Sequence, residues 1–377
     1  MRYALLSALL LVGCPSAGVP GDDDDGPTPE PPPAAVPSDQ PGPYAVGATT
    51  IEGLDPDRGK WMVMEVWYPA APAPDATFEP YPDLNLASDA YRDPAWDLRG
   101  APYPVVAFSH GFGGIRFQST YLTTWLASHG FVVIAPDHEN NTLLDLNINL
   151  AAQVASQRPK DVSAAVDIVA GQLEDELDLS GGYAVTGHSF GAWTSLVVGG
   201  GLIDLDELIA FCEENDARGC NLFNVEDAAA LQDISSAAPD PRARVAVTLS
   251  PGLTYSFGAD GSGLANNVPT LVQAGTRDSD LPYDSEMRPV FEALPDTARM
   301  LTLQDAAHFG FSNLCTSVPV GEECAGSEAG YMDIDRVHEL SKITATAWIR
   351  SHLLGETAED VFLDAAWVDT EGDATWE

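Results

Sequence analysis

At 377 residues, 45% of them apolar and 20% charged, the chain has material for a large core and too little charge for a disordered polymer. Lys and Arg number 17 against 57 Asp and Glu, and a formal net charge of −40 repels a polyphosphate backbone, which excludes nucleic acid as an expected partner. The acidic surface reads as a solvated shell, and the length accommodates one large α/β domain or two ordinary ones.

In chain order, Arg2 precedes an apolar stretch from Ala4 to Val12, short of the ~20 residues that a membrane-spanning helix needs and typical of a signal-peptide core. It runs into Leu11-Val12-Gly13-Cys14, which resembles the lipobox of bacterial lipoproteins. That resemblance implies a signal peptide over residues 1–13, lipidation of Cys14, and a mature protein tethered to a bacterial membrane on its extracytoplasmic side, in the periplasm or at the cell surface. Residues 14–43 continue as a Pro-rich linker with the run Asp22 to Asp25, a composition that buries no core. Consecutive carboxylates lack the alternating ligands and Gly turn of a calcium loop, so the run reads as a spacer.

From Tyr44 the pattern becomes that of a folded domain, expected over residues 44–355. Lys60 to Tyr68 alternates as a strand with one buried side, with Met62, Met64, Val66 and Tyr68 on one face. Pro104 to Phe108, Phe131 to Ala135, Tyr183 to Thr186, Arg244 to Leu249, Pro269 to Ala274 and Ala298 to Leu303 are short, mostly apolar runs, as in parallel strands covered on both faces. Tyr121, Leu122, Trp125 and Leu126 mark one helix, ending at Gly130; Val162, Val166, Val169 and Leu173 mark a second, starting after Pro159. The alternation predicts a doubly wound, mostly parallel sheet with function in the loops after the strands' carboxyl ends. An acidic segment at about 202–240 breaks the rhythm as an inserted cap. A last helix, roughly Asp333 to Leu354, precedes an acidic tail at 356–377 that is expected to be loosely held.

With Cys14 lipidated, Cys212, Cys220, Cys315 and Cys324 remain, and an even number in an exported chain points to disulfides. Short separations favour Cys212–Cys220 and Cys315–Cys324 over the two other pairings. No Cys-x-x-Cys pair or neighbouring His suggests a metal site.

The chemistry centres on Gly187-His188-Ser189-Phe190-Gly191, a Gly-x-Ser-x-Gly arrangement between a strand and an apolar helix. The turn is sharp enough to need Gly on both sides, and it places Ser189 at a helix amino end that favours developing negative charge. Serine needs a base, and in this arrangement the partners follow in the order serine, acid, histidine. His308 follows the last strand in the loop Asp305 to Gly310 and is the expected base. Asp278, after the strand ending at Ala274, is the expected acid, with Asp280 a rival and Asp305 a weaker third. The turn Ser109 to Gly114 follows another strand, and the expected oxyanion donors are the backbone N–H groups of Phe112 and Phe190. Tyr255 and Phe309, with both of these phenylalanines, are candidates to line an apolar substrate pocket. His110 and His188 are read as residues that tune the turns.

These residues resemble the α/β-hydrolase superfamily, and within it the dienelactone-hydrolase-like group that includes platelet-activating-factor acetylhydrolases and, more distantly, cutinase-like polyesterases. The likeness spans Asp55-Pro56-Asp57-Arg58-Gly59, Glu65 to Pro69, Phe108 to Gly114, Ala127 to Val133, Gly187 to Ala192 and His308 to Ser312. It implies an α/β-hydrolase fold and carboxylic-ester hydrolysis through an acyl-enzyme, with Ser189 nucleophile, Asp278 acid and His308 base, and with no metal or organic cofactor. Ser189 stands where dienelactone hydrolases carry Cys, which favours the esterase branch; Ala192 replaces a Gly often found after the elbow. The expected protein is a monomeric, lipid-tethered serine esterase for short acyl esters, lipid-derived ones included. The alternatives are a cutinase-like polyesterase or lipase and a catalytically silent surface binding lipoprotein.

Overall fold

Val106 and Phe108 belong to one hydrophobic core, whereas their neighbours Val105 and Ala107 belong to another. A strand buried on both faces produces this division, and it explains the continuous apolar runs. The structure is a computed structural model that describes residues 30–81, 88–215, 218–223, 234, 236–319 and 321–377. Residues 1–31 and 32–377 separate as two compact units. Of the first only Glu30 and Pro31 are described, so the signal segment, Cys14 and the Asp run lie outside the described residues.

The strands are β1 (Ala45–Asp55), β2 (Lys60–Ala71), β3 (Tyr91–Arg92), β4 (Ala95–Trp96), β5 (Tyr103–Ser109), β6 (Val132–Pro136), β7 (Leu177–Asp178), β8 (Tyr183–His188), β9 (Ala243–Leu249), β10 (Thr270–Gly275), β11 (Arg299–Leu303) and β12 (Ala374–Trp376). They form one sheet in the order β12-β11-β10-β9-β8-β5-β6-β2-β1-β3, with β4 beside β2 and β7 beside β5. The stretch from β6 through β11 is parallel; at the two ends β2 runs antiparallel to β6 and β1, and β12 antiparallel to β11, while the short β3 is parallel to β1. Helix α1 (Thr120–Ser128) and the long helix Ile334–Ile349 cover one face. Helices α2 (Ala151–Gln172) and α3 (Phe190–Val198) cover the other. Strand ends therefore deliver residues 109, 188, 249, 275 and 303 to one edge, where their loops meet.

The second predicted helix begins earlier than expected: α2 starts at Ala151 and runs through Pro159. A helix-interior proline costs about 3 kcal/mol, but buried Ala152, Val154 and Ala155 extend the apolar stripe of Val162, Val166 and Val169 in the same helix. Burying that extra turn offsets the lost N–H. Two short helices, α4 (Leu205–Glu214) and α5 (Arg218–Phe223), occupy the segment expected as a cap, joined by the Cys212–Cys220 disulfide. Asp204 caps α4, its carboxylate accepting from Glu207 N–H at 3.1 Å. Residues 216–217, 224–233 and 235 of this segment lie outside the described residues.

The terminal segments differ from expectation. The acidic tail is not loosely held: β12 pairs with β11, and Arg336 binds Glu371 at 2.7 Å and Asp373 at 2.9 Å. Val368 and Ala374 are buried, so scattered apolar residues and one arginine anchor a segment whose composition alone suggests solvent. The linker's last residues are likewise packed. Buried Ser38 donates its N–H (3.1 Å) and hydroxyl (2.5 Å) to Glu359, and Arg350 donates to the Val36 carbonyl at 2.7 Å.

Candidate active site

Ser189 sits between β8 and α3 at φ 57° and ψ −120°, strained values for a residue with a side chain. Backbone contact enforces the turn. A Cβ at Gly191 would overlap the Ser109 carbonyl, and one at Gly187 would overlap the backbone of Gly191. Ser189 N–H is fixed to the Leu249 carbonyl at 2.9 Å, which turns the hydroxyl toward the loops beyond the sheet.

There the three predicted side chains meet. His308 Nε2 accepts from Ser189 Oγ at 2.9 Å, and His308 Nδ1–H donates to Asp278 Oδ2 at 2.6 Å. Asp278 and His308 are buried, at 5% and 4% exposure. The other oxygen of Asp278 accepts the backbone N–H groups of Asp280 (2.8 Å) and Leu281 (2.7 Å). Of the two candidate carboxylates it is Asp278 that meets the imidazole, while Asp280 gives its amide to Asp278. Burial pushes the Asp278 carboxyl up, but His308, Ser250 and the backbone N–H groups outweigh it and hold its pKa below the usual carboxylate value. Burial also works to lower the pKa of His308, yet the charge and hydrogen bond of Asp278, with Asp280 and Glu323 nearby, leave it raised above 6.5.

The N–H of Phe190 opens α3 and that of Phe112 lies in the turn after β5; neither donates within the protein among the described residues. Their rings lie 6.2 Å apart. A cavity of about 400 Å³ lies over Ser189, walled by Phe112, Ile148, Phe190, Leu253, Leu281 and Phe309. Phe309 thus stands where the sequence reading put it. Tyr255 does not: it stacks on Phe211 of α4 at 4.2 Å and lines a separate surface cavity.

Residues without a local motif complete the site. Ser250, which follows β9 at φ 53°, donates its hydroxyl to Asp278 Oδ2 and lies 3.1 Å from His308 Nδ1. Gln118 accepts from Gly111 N–H at 2.9 Å and donates to His188 Nδ1 at 2.8 Å, while His188 Nε2–H donates to the His308 carbonyl at 3.0 Å. Burial pushes His188 down to about 3, so a neutral ring bridges Gln118 and the His308 carbonyl. The second disulfide, Cys315–Cys324, clips the segment in which Glu323 accepts Phe309 N–H at 3.0 Å.

The parallel sheet, the serine turn and the three-residue relay define an α/β-hydrolase fold. A sequence model of the family described as "Platelet-activating factor acetylhydrolase, isoform II" matches residues 85–144. Cutinase est1 of Thermobifida alba is 27% identical over 213 residues, covering 55% of this chain and 54% of the cutinase. Platelet-activating factor acetylhydrolase of Cavia porcellus is 28% identical over 125 residues, covering 27% of this chain and 28% of that protein. The chain spans about half the length, or less, of these curated relatives. Among solved structures, ferulic acid esterase from Streptomyces cinnamoneus superposes with a TM-score of 0.56 at 19% identity, covering 83% of this chain and 91% of that one.

Proposed function

We propose that the protein is a serine carboxylic-ester hydrolase for short acyl esters, including lipid-derived ones. The observation that carries the reading is the pair of contacts made by His308, 2.9 Å to Ser189 Oγ and 2.6 Å to Asp278, at the floor of an open apolar cavity. Ser189 Oγ attacks the ester carbonyl carbon as its proton passes to His308 Nε2. The tetrahedral oxyanion is met by the Phe112 and Phe190 N–H groups. As it collapses, the C–O bond to the alcohol breaks and His308 returns the proton to the leaving alkoxide. Water, deprotonated by His308, then cleaves the acyl-enzyme. Asp278 stays ionised throughout, holding the imidazole in place and offsetting its charge.

A cutinase-like reading is favoured by a second observation: Leu143, Leu144, Leu146 and Ile148 are exposed, and Ile148 also lines the cavity. An exposed apolar stretch leading to the cavity through Ile148 suits an ester presented on an apolar surface. A series of p-nitrophenyl esters of rising acyl length, run beside an aliphatic polyester film, separates the two. Highest kcat/KM at two to four acyl carbons with no film erosion supports the short-chain reading; film erosion supports the polyesterase.

The tether through Cys14 is part of the proposal, and the two disulfides support a site outside the reducing cytoplasm. Metabolic palmitate labelling that disappears in Cys14→Ser tests the tether.

A further inference from the structure

Behind the site, Ser109, His138 and Asp161 repeat the hydrogen-bond order of the triad. Ser109 Oγ lies 2.9 Å from His138 Nε2, and His138 Nδ1 lies 3.0 Å from Asp161 Oδ2. All three are buried, and none of them lines the cavity, so this serine faces no substrate. Burial pushes His138 down to about 3, which leaves a neutral ring that donates to Asp161 and accepts from Ser109. The relay is therefore static, and what it holds is the end of β5.

The residue it shares with the site is Arg158. This side chain comes from α2 and is fully buried, and its donors go to four neutral acceptors. Nε donates to Thr194 Oγ1 at 2.9 Å, Nη1 to Asn141 Oδ1 at 2.7 Å, and Nη2 to Ser109 Oγ at 3.0 Å and to the His110 carbonyl. The guanidinium also lies over the Phe190 ring, 4.6 Å from its centroid. Its counter-charge is Asp161 one turn along α2, which Lys60 (2.8 Å) and Arg58 (2.7 Å) also bind. Burial pushes Arg158 down to about 9, still charged at neutral pH.

The partners of the guanidinium divide by location. Ser109 and His110 begin the turn that carries Phe112. Thr194 lies one turn into α3, where its hydroxyl donates to the Phe190 carbonyl at 2.8 Å. One rigid fork thus spans the two segments that carry the two free N–H groups. A buried structural arginine would more ordinarily bond a carboxylate directly; this one is spent on the oxyanion turn and on the first turn of α3.

We infer that Arg158 is a positioning residue that sets the separation of the Phe112 and Phe190 N–H donors, and so the strength of the oxyanion hole. The inference rests on the ester-hydrolase reading above. Such donors act only when held within hydrogen-bond reach of the developing charge, and losing one costs ~10²–10³ in rate. A planar guanidinium can fix both segments at once; a point-charge ammonium cannot.

The test is Arg158→Met and Arg158→Lys in the full-length protein, measured for kcat and KM with p-nitrophenyl acetate and for inhibition by phenylboronic acid, whose adduct on Ser189 is tetrahedral and anionic. The expected result in both variants is a fall in kcat of about 10- to 100-fold, KM within about twofold, and a boronate inhibition constant raised by the same factor as kcat falls. A variant with wild-type kcat, or a fall in kcat with boronate affinity unchanged, overturns the role. Should neither variant fold, Asn141→Ala decides: it removes the Nη1 acceptor and touches neither donor segment, and a parallel change of about 3- to 10-fold in kcat and boronate affinity is expected, against none if the role is wrong. A wild-type protein inert to every ester and to the boronate would instead sink the hydrolase reading together with this one.

Discussion

Ser250 gives its hydroxyl to Asp278 Oδ2, the same oxygen that accepts from His308 Nδ1. The Asp278 carboxylate is therefore oriented by a residue of a neighbouring strand end as well as by the Asp280 and Leu281 amides. Ser250→Ala removes one of the donors that hold the carboxylate in its charged form, and kcat on p-nitrophenyl acetate should fall about 3- to 10-fold with KM little changed. A Ser250→Ala enzyme at full kcat would show that the two amides suffice.

The pH profile follows from the same pair. A general base works only when neutral, so kcat/KM is lost as pH falls through the pKa of His308, which is raised above 6.5. The acid-limb midpoint should lie above 6.5 in the wild type. In Asp278→Asn the largest raising charge is gone while burial remains, so the midpoint should move to lower pH and the residual rate should drop by about 10³–10⁴. An unchanged midpoint in that variant would argue against Asp278 as the partner.

Glu323 adds a smaller share of the same field. Burial raises its own pKa, while its carboxylate faces His308 and takes the Phe309 N–H. Glu323→Gln should move the acid limb to lower pH by less than Asp278→Asn does. Removing the Cys315–Cys324 bond with paired serines should move it the same way, because Glu323 loses its anchorage. It should also cost about 2–3 kcal/mol of stability. Titration of kcat/KM and thermal melts check both.

Much of this site was legible in the sequence because its key features are local. Gly187 to Gly191 specifies a backbone turn, and the order of strand ends leaves few positions for the base and acid. Two neighbouring carboxylates could not be told apart at that level, since only the loop's path decides which one faces the ring; Asp278 does so because Asp280 and Leu281 fold their amides back onto it. Ser250, Gln118 and Arg158 are invisible for the opposite reason: each has at least one partner 28 to 70 residues away, with no motif around it. Tyr255 was misplaced because an aromatic residue after a strand end can turn toward a cavity or toward a packed helix, and composition does not say which. The start of α2 was misplaced because a proline normally ends a helix, and here the buried stripe on both sides of Pro159 prevails.

The exposed leucines beside the cavity give a separate prediction. Leu144→Asp with Leu146→Asp changes two exposed side chains, neither of which lines the cavity. Turnover of soluble p-nitrophenyl acetate should stay within about twofold, and hydrolysis of an emulsified or film-bound ester should fall at least about fivefold. Equal losses on both would place these residues in the cavity's function rather than in surface contact.

The most direct measurement is active-site labelling with a fluorophosphonate, followed by peptide mapping, in the wild type and in Ser189→Ala. One phosphonyl group on Ser189, lost together with all ester hydrolysis in the alanine variant, is the result the account predicts. Labelling at another residue, or ester turnover that survives in Ser189→Ala, would contradict it.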